Sequence, residues 1–166
     1  MTLPIRRFPD PILKRPTRPV ERINESVQQL IKVMVRTMRH HPRCVGLAAP
    51  QVGSEWRLAV MDGSGHPNVR HSHGLLVLIN PTIEAAEGLI IQREGCLSIP
   101  DFTANVRRAT RVRLRALDQF GLSLTLTLEG FEASIAQHEI DHLDGALFLD
   151  RVANLTTDIF RRKNYS

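Results

Sequence analysis

The middle of the chain is a series of short apolar segments separated by turn residues, with no helical pattern between them. Segments 58–61, 75–79 and 88–91 are each bounded by Gly, Pro, Asn or Asp and are predicted to be strands. Two alternating segments follow at 112–117 and 122–128, and the connection 118–121 indicates a β-hairpin. Because parallel strands need long crossovers, we expect these strands to pair antiparallel.

Helical periodicity appears only on the two sides of this strand region. Between residues 24 and 40 the apolar side chains recur every three or four positions, which predicts an N-terminal amphipathic helix. A second helical pattern begins after Gly130 and ends at Gly145. The order helix, strands, helix indicates an α+β fold. At 166 residues and 42% apolar content, residues 1–166 are predicted to form a single domain.

Composition and charge exclude several classes of protein. The first twenty residues mix proline with arginine, so no secretory signal or membrane span is expected. With only two cysteines a disulfide framework is not expected, and a cytoplasmic, reducing location is favoured. The net charge is +5, but the densest arginines alternate with apolar residues at 111–115, as on the solvated face of a strand. No specific DNA site is predicted.

The second helix carries the segment His138-Glu139-Ile140-Asp141-His142. On a helix His138 and His142 are one turn apart, so both rings can reach one metal ion, while Glu139 lies beside them near a bound water. The ordinary alternative is a helix with two surface histidines and an exposed acid. A catalytic metal site also needs a third protein ligand.

That third ligand is missing downstream. No glutamate follows Glu139 and no histidine follows His142, and Phe148 stands where the extended metalloprotease pattern has its third histidine. The remaining candidates are the later aspartates and an upstream set, namely Cys96, Cys44, His66, His71 and His73. Cys96 is favoured because a thiolate after an apolar strand would be a strong ligand.

Three blocks of the sequence stand in order: Val-Gly-Leu-Ala-Ala-Pro-Gln at 45–51, Glu-Gly-Cys-Leu-Ser at 94–98 and Gln-His-Glu-Ile-Asp-His at 137–142. Taken together, they resemble the signature motifs of the peptide deformylase family. The resemblance extends from the N-terminal segment to Phe148. It implies antiparallel β-sheets surrounding a central metal-binding helix. The implied enzyme is a metal-dependent hydrolase that removes the N-terminal formyl group of N-formyl-methionyl nascent peptides and releases formate.

The resemblance also implies roles for individual residues. The implied metal ligands are Cys96, His138 and His142. Glu139 would be the general acid and base. The Gln51 side chain and the Leu97 amide would donate to the formyl oxygen. Val45 and Gly46 would pair with the substrate backbone, and Glu94 would pair with Arg108 to fix the Cys96 loop. Ile135, one turn before His138, is a candidate for the floor of the methionine pocket, with plain core packing as its alternative. The expected ion is Fe²⁺, with Zn²⁺, Ni²⁺ or Co²⁺ also able to bind.

The first block departs from the commonest family pattern, because Cys44 stands where that pattern opens with glycine. Cys44 would either narrow the cleft or be a tolerated small side chain, and the second is favoured. Two other functions stay open from the sequence: a metallopeptidase, and a catalytically silent, arginine-rich protein that binds RNA or the ribosome. For the deformylase, the positive charge favours a transient contact with the ribosome.

Overall fold

The computed structural model describes residues 1–162; residues 163–166, the end of the predicted domain, lie outside the described part. It contains the helices α1 (Glu25–His40) and α2 (Gly130–Leu143) and three short 3-10 helices at Pro11–Lys14, Ala49–Val52 and Phe148–Arg151. The strands are β1 (Gly46–Ala48), β2 (Leu58–Asp62), β3 (Leu75–Glu87), β4 (Ile90–Cys96), β5 (Ile99–Arg108), β6 (Arg111–Leu117), β7 (Ser123–Glu129) and β8 (Ile159–Arg161). Neither α-helix is long and apolar enough to span a membrane.

Helix α1 is the predicted N-terminal amphipathic helix. Asn24 caps it, because its side chain accepts a hydrogen bond from the Val27 amide at 3.0 Å. The apolar stripe that includes Ile31, Met34 and Met38 is buried against the first core cluster, which also contains side chains of β1, β2 and β3. The helix therefore covers one face of the larger sheet.

All strands pair antiparallel, in two sheets. The larger sheet has the order β1-β2-β3-β6-β7, and the smaller has the order β4-β5-β8. The predicted hairpin is β6–β7, and the Asp118 side chain accepts the amides of Phe120 and Leu122 in its turn. The predicted α+β class with antiparallel sheets is therefore confirmed.

Several strand bounds differ from the prediction. The strand expected to end at residue 79 continues to Glu87, because a register shift next to Asn80 (φ +53°) lets the strand pass the Asn80-Pro81 break. The strand expected at 88–91 begins only at Ile90, since Gly88 turns with φ +77°, and it runs on to Cys96. Strands β5 and β8 were not predicted.

Helix α2 lies where the two sheets meet. It contacts β1, β2, β6 and β7 of the larger sheet, and Ile135 and Ala136 belong to the core cluster on that side. Cys96, at the end of β4, belongs to a separate core cluster with Leu13 and Phe148. The chain thus places the end of the small sheet beside the histidines of α2.

Candidate metal centre

Three metal-ligating side chains converge between β4 and α2. One donor atom each of Cys96, His138 and His142 lies within 4.8 Å of the other two, and within residues 1–162 no other group of three shows this arrangement. The Cys96 Sγ atom is 3.3 Å from Nε2 of His142. The structure therefore brings together the two helical histidines and the upstream cysteine favoured from the sequence.

The electrostatics of the cluster suit a cation. Burial raises the pKa of the Cys96 thiol, but the charge of His142 and the hydrogen bonds with both histidines outweigh it, so the pKa lies well below its usual range. A cysteine must be deprotonated to bind a metal. A thiolate with two imidazoles is a donor set that binds divalent transition metals, and it leaves a fourth position for water or substrate.

Glu139 lies next to this cluster and is 4% exposed. Burial raises the pKa of its carboxyl group, and the nearby histidines offset only part of that effect. Its Oε1 atom and Nδ1 of His142 are buried without a hydrogen-bond partner among the described residues. Buried polar atoms without partners beside three ligand atoms fit a site that holds an ion together with small polar ligands.

Gln51 joins the first sequence block to the second. It lies in the 3-10 helix Ala49–Val52 and is 2% exposed. Its Oε1 atom accepts the Ala48 amide at 3.0 Å, which directs Nε2 toward Cys96 Sγ at 3.4 Å and Ser98 Oγ at 3.2 Å. Leu97 occupies the turn between β4 and β5, directly after Cys96. An amide side chain and a turn backbone therefore flank the thiol.

A buried network of charged side chains contacts the Nδ1 side of the His138 ring. The Nδ1 atom of His138 is 2.8 Å from Glu94 Oε1, so this contact fixes the ring and leaves Nε2 for a ligand role. Arg108 donates to both oxygens of Glu94 at 2.8 Å and to Asp141 at 2.6 Å. Burial raises the pKa of Glu94, but the hydrogen bonds from Arg108 and His138 lower it to about 2. Glu94 is thus held as a carboxylate.

Two members of this network were not assigned roles from the sequence. Asp141 stands between the motif histidines and accepts hydrogen bonds from Arg108 and, at 3.1 Å, from Arg151. Its place between the two candidate ligands was a usable signal, since carboxylates commonly belong to the hydrogen-bond network around metal ligands. Arg151 lies in the 3-10 helix Phe148–Arg151, and no local pattern links it to the site.

We expect the Arg108→Met variant to lose about 3–5 kcal/mol of unfolding free energy, because it leaves the buried carboxylates of Glu94 and Asp141 without their shared cation. Urea denaturation followed by circular dichroism measures the change. Arg107 is exposed on the same strand, so Arg107→Met is the matched control. Equal stability of the two variants would contradict this account of the network.

The other predicted residues lie around the cluster. Gly46 is in β1, so close to Glu139 that a Cβ atom on Gly46 would be 2.5 Å from Glu139 Oε2. Val45 precedes β1, and its carbonyl accepts the Asp62 amide at 2.8 Å. Ile135 is buried one turn before His138. The Cys44 side chain packs against the first core cluster, and its thiol donates to the Gly46 carbonyl at 3.2 Å.

The three loop histidines do not join the ligand cluster. His66 stacks on Phe131, His73 contacts Glu132, and His71 is exposed. From the sequence they were less favoured ligand candidates than Cys96, and residues 63–74, which carry them, connect β2 with β3 without forming a strand.

Comparison with known proteins gives one consistent family. The family model described as Polypeptide deformylase matches residues 2–158. A peptide deformylase of Thermodesulfovibrio yellowstonii is 42% identical over 161 residues, covering 97% of this chain and 95% of the relative. Among solved structures, a peptide deformylase from Legionella pneumophila superposes with a TM-score of 0.85 at 41% identity, covering 93% of this chain and 88% of the other. A Met-Ala-Ser-bound class I type b peptide deformylase from Acinetobacter baumannii gives a TM-score of 0.85 at 33% identity, covering 92% of this chain and 99% of the other.

Proposed function

The chain belongs to the polypeptide deformylase family, and it is an enzyme that removes the formyl group from nascent polypeptides; we propose that it does so with a divalent ion held by Cys96, His138 and His142. The observation that carries this assignment is the convergence of the three donor atoms within 4.8 Å, next to the buried carboxylate of Glu139. Neither the metallopeptidase nor the silent RNA-binding alternative receives support from the comparisons.

The identity of the ion is part of the proposal. Deformylases depend on a metal, and a thiolate with two imidazoles suits iron or zinc. We propose Fe²⁺ as the resident ion, with Zn²⁺, Ni²⁺ and Co²⁺ able to occupy the same ligands. When bound, such an ion supplies Lewis acidity, which lowers the pKa of water toward about 7.

Glu139 is proposed to carry the proton. Because burial raises the pKa of its carboxyl group, this group is a better proton acceptor near neutral pH than an exposed glutamate. Glu139 takes a proton from the attacking water and delivers it to the nitrogen of the departing amine. For each formyl group removed, the carboxylate therefore returns to its starting protonation state. The free Oε1 atom is available for this transfer.

Two donors are proposed to bind the formyl oxygen as it gains negative charge. Gln51 already directs its Nε2 atom toward Cys96, and the Leu97 amide follows directly in the turn. Donors of this kind typically contribute on the order of 100- to 1,000-fold in rate. Because Gln51 is anchored through Oε1 on the Ala48 amide, its Nε2 atom is oriented before substrate binds.

The peptide is proposed to lie along β1. This strand is first in the order of the larger sheet, so one of its edges has no strand partner among the described residues. An extended peptide could add to this edge through Gly46 and the Val45 N–H, since the Val45 carbonyl already accepts Asp62. Ile135, on the face of α2 that bears His138, is proposed to contact the methionine side chain.

The Gly46→Ala variant tests how close this strand lies to the catalytic carboxylate. Its Cβ atom would approach Glu139 Oε2 to 2.5 Å, so the carboxylate must move. We expect kcat to fall on the order of 10- to 100-fold, the typical result of misplacing a reacting group by about 1 Å. Metal content and the thermal unfolding midpoint should stay near wild type. Unchanged kcat would contradict the proposed place of Glu139.

The setting of the reaction is proposed from the substrate. Nascent chains are made in the cytoplasm, so we propose that the enzyme works there as one catalytic domain over residues 1–166, with no DNA partner. A transient contact with the ribosome is favoured by the net charge of +5. If that contact speeds encounter, the association rate with ribosomes should fall as salt rises.

The assignment of the site is tested by formate release with parallel metal analysis. Purified protein loaded anaerobically with Fe²⁺ is expected to release one formate per molecule of formyl-Met-Ala-Ser, with about one metal ion per chain. Protein stripped of metal should regain activity on reloading. Activity without any bound metal would overturn the proposed ligand roles.

A further inference from the structure

Ser98 is a buried hydroxyl residue to which the proposed chemistry gives no role. It lies in the turn between β4 and β5, directly after Leu97, and its exposed fraction is 0%. Its Oγ atom accepts a hydrogen bond from Gln51 Nε2 at 3.2 Å. Because burying a hydroxyl is costly unless it is hydrogen-bonded, this contact contributes to how the interior of the site is arranged.

The side-chain amide of Gln51 contacts protein at both its oxygen and its nitrogen. Oε1 accepts the Ala48 amide at 3.0 Å. Nε2 carries two hydrogens, and it lies 3.2 Å from Ser98 Oγ and 3.4 Å from Cys96 Sγ. The two N–H bonds of a planar amide point in different directions, so the hydroxyl takes one hydrogen and the other is directed toward the thiol.

The contact with Ala48 alone would not fix this orientation. The last torsion of a glutamine side chain has only broad preferences, so an amide anchored at Oε1 can still turn about that hydrogen bond. A second anchor at Nε2 fixes the plane of the amide. Donors that are oriented before the reaction need no reorganisation as negative charge develops, and the anchor that orients such a donor therefore affects the rate.

The N-terminal segment holds the backbones of both partners. The Arg6 amide donates to the Gln51 carbonyl at 2.7 Å, and the Phe8 amide donates to the Ser98 carbonyl at 2.8 Å. The same segment continues to Leu13, which is fully buried in the core cluster that also contains the cysteine of the metal centre. Two amides of one anchored segment thus keep the Gln51 backbone and the Ser98 backbone at a fixed separation.

From these contacts we propose that Ser98 is a positioning residue for the donor to the formyl oxygen: its hydroxyl occupies one N–H of Gln51 and so directs the other N–H into the site beside Cys96. The inference rests on the proposed function, because Gln51 is a donor to the formyl oxygen only in that proposal. In this role Ser98 acts through Gln51, without contacting the formyl group. Its effect should therefore appear in kcat and should vanish when the Gln51 amide is absent.

The test is a double-mutant cycle in the Fe²⁺-loaded enzyme with formyl-Met-Ala-Ser. We expect Gln51→Ala to lower kcat about 100- to 1,000-fold. Ser98→Ala should lower kcat about tenfold and leave KM near wild type, because the hydrogen bond that it removes orients a donor used in the transition state. Adding Ser98→Ala to Gln51→Ala should cause no further loss of kcat. A residue that merely stabilised the fold would lower the rate in both backgrounds.

The matched control is Ser134→Ala, which removes another buried serine hydroxyl. Ser134 is 2% exposed on α2, and its Oγ atom donates to the Gly130 carbonyl at 3.4 Å, away from the Gln51 amide. This variant should keep the wild-type kcat and KM. Metal content and thermal unfolding midpoints are measured for every variant in parallel, and Ser98→Ala should match wild type in metal content and remain folded at the assay temperature.

Three results would overturn the proposal: an unchanged kcat in Ser98→Ala, an equal loss of kcat from Ser98→Ala with and without Gln51, or loss of metal or of the folded state in Ser98→Ala. The last result would show that the hydroxyl holds the turn that carries Cys96 instead of the Gln51 amide. If wild-type holoenzyme released no formate, the proposed function itself would fail. If Gln51→Ala lowered kcat as expected while Ser98→Ala did not, only the role of Ser98 would fail.

Discussion

The Glu139→Ala variant is expected to keep its metal and to lose about 100- to 10,000-fold in kcat. Glu139 is buried beside the proposed ligands but is not one of the three converging donors, so its removal should leave the ligand set intact. What is lost is the group proposed to move the proton between water and amine. Formate release under saturating substrate measures the rate, and elemental analysis measures the bound metal.

The matched control for Glu139→Ala is Glu129→Ala, which removes an exposed carboxylate that precedes the same helix. This control should retain both rate and metal. If Glu139→Ala lost its metal as completely as a ligand variant, Glu139 would be a ligand and the proposed proton transfer would be wrong. If it kept the wild-type rate, another group would have to carry the proton.

The Cys96→Ala variant is expected to lose both metal and activity. It removes the only anionic donor of the triad and leaves two imidazoles on one helix. Loss of a partner that merely orients a ligand typically costs 10- to 100-fold in metal affinity, so loss of the ligand itself should cost more than about 100-fold. Competition with a chelator measures the affinity, and formate release measures the activity.

The other cysteine supplies the control for Cys96→Ala. Burial, with the charge of Glu139 nearby, raises the pKa of the Cys44 thiol to about 12. The thiol donates a hydrogen bond to the Gly46 carbonyl at 3.2 Å. Cys44→Ala should therefore keep metal and rate. Endopeptidase turnover that survived in Cys96→Ala would revive the metallopeptidase alternative. Metal retention in that variant would show that a different residue completes the site.

The convergence at the metal centre could be predicted because its parts are local or few. The spacing of His138 and His142 places both rings on one helix face, and with no downstream histidine or glutamate only the later aspartates and a small upstream set remained. The distance of Cys96 from these rings could not be read from the sequence. It depends on how the β4–β5 turn packs beside α2, over more than forty residues of intervening chain.

Strands β5 and β8 and the second part of β3 were not predicted, and each has its own physical reason. Strand β5 contains Pro100, Asp101 and two arginines, and its hydrophobic alternation is broken because the charged Arg108 takes a buried position after Ala104 and Val106. Strand β8 has three residues, too few for a period. Strand β3 continues past Asn80 because the Asn80 side chain bonds both backbone groups of Val20, which stabilises a conformation that ordinarily ends a strand.

The ion network shows a further limit of sequence reasoning. Glu94 and Arg108 were paired through the family resemblance, but the bond from Arg108 to Asp141 joins β5 to α2 through tertiary structure alone. The same holds for Glu132, whose burial depends on His73 arriving from a loop without regular structure. Such pairs become visible only when the packing of the elements is known.

Phe148 gives the site a property that its ligands do not. Its side chain is 1% exposed and lies in the same core cluster as Leu13 and Cys96, with its ring centroid 6.2 Å from that of His138. In a protease with a downstream ligand, the residue at this position coordinates the metal. Here Phe148 instead provides a buried apolar contact on one side of the histidines. With Cys96 as the proposed third ligand, position 148 is not needed for coordination. A single Phe148→His exchange would complete the protease sequence pattern without building a protease site, because it would place a polar ring in an apolar core beside Cys96, the proposed third ligand.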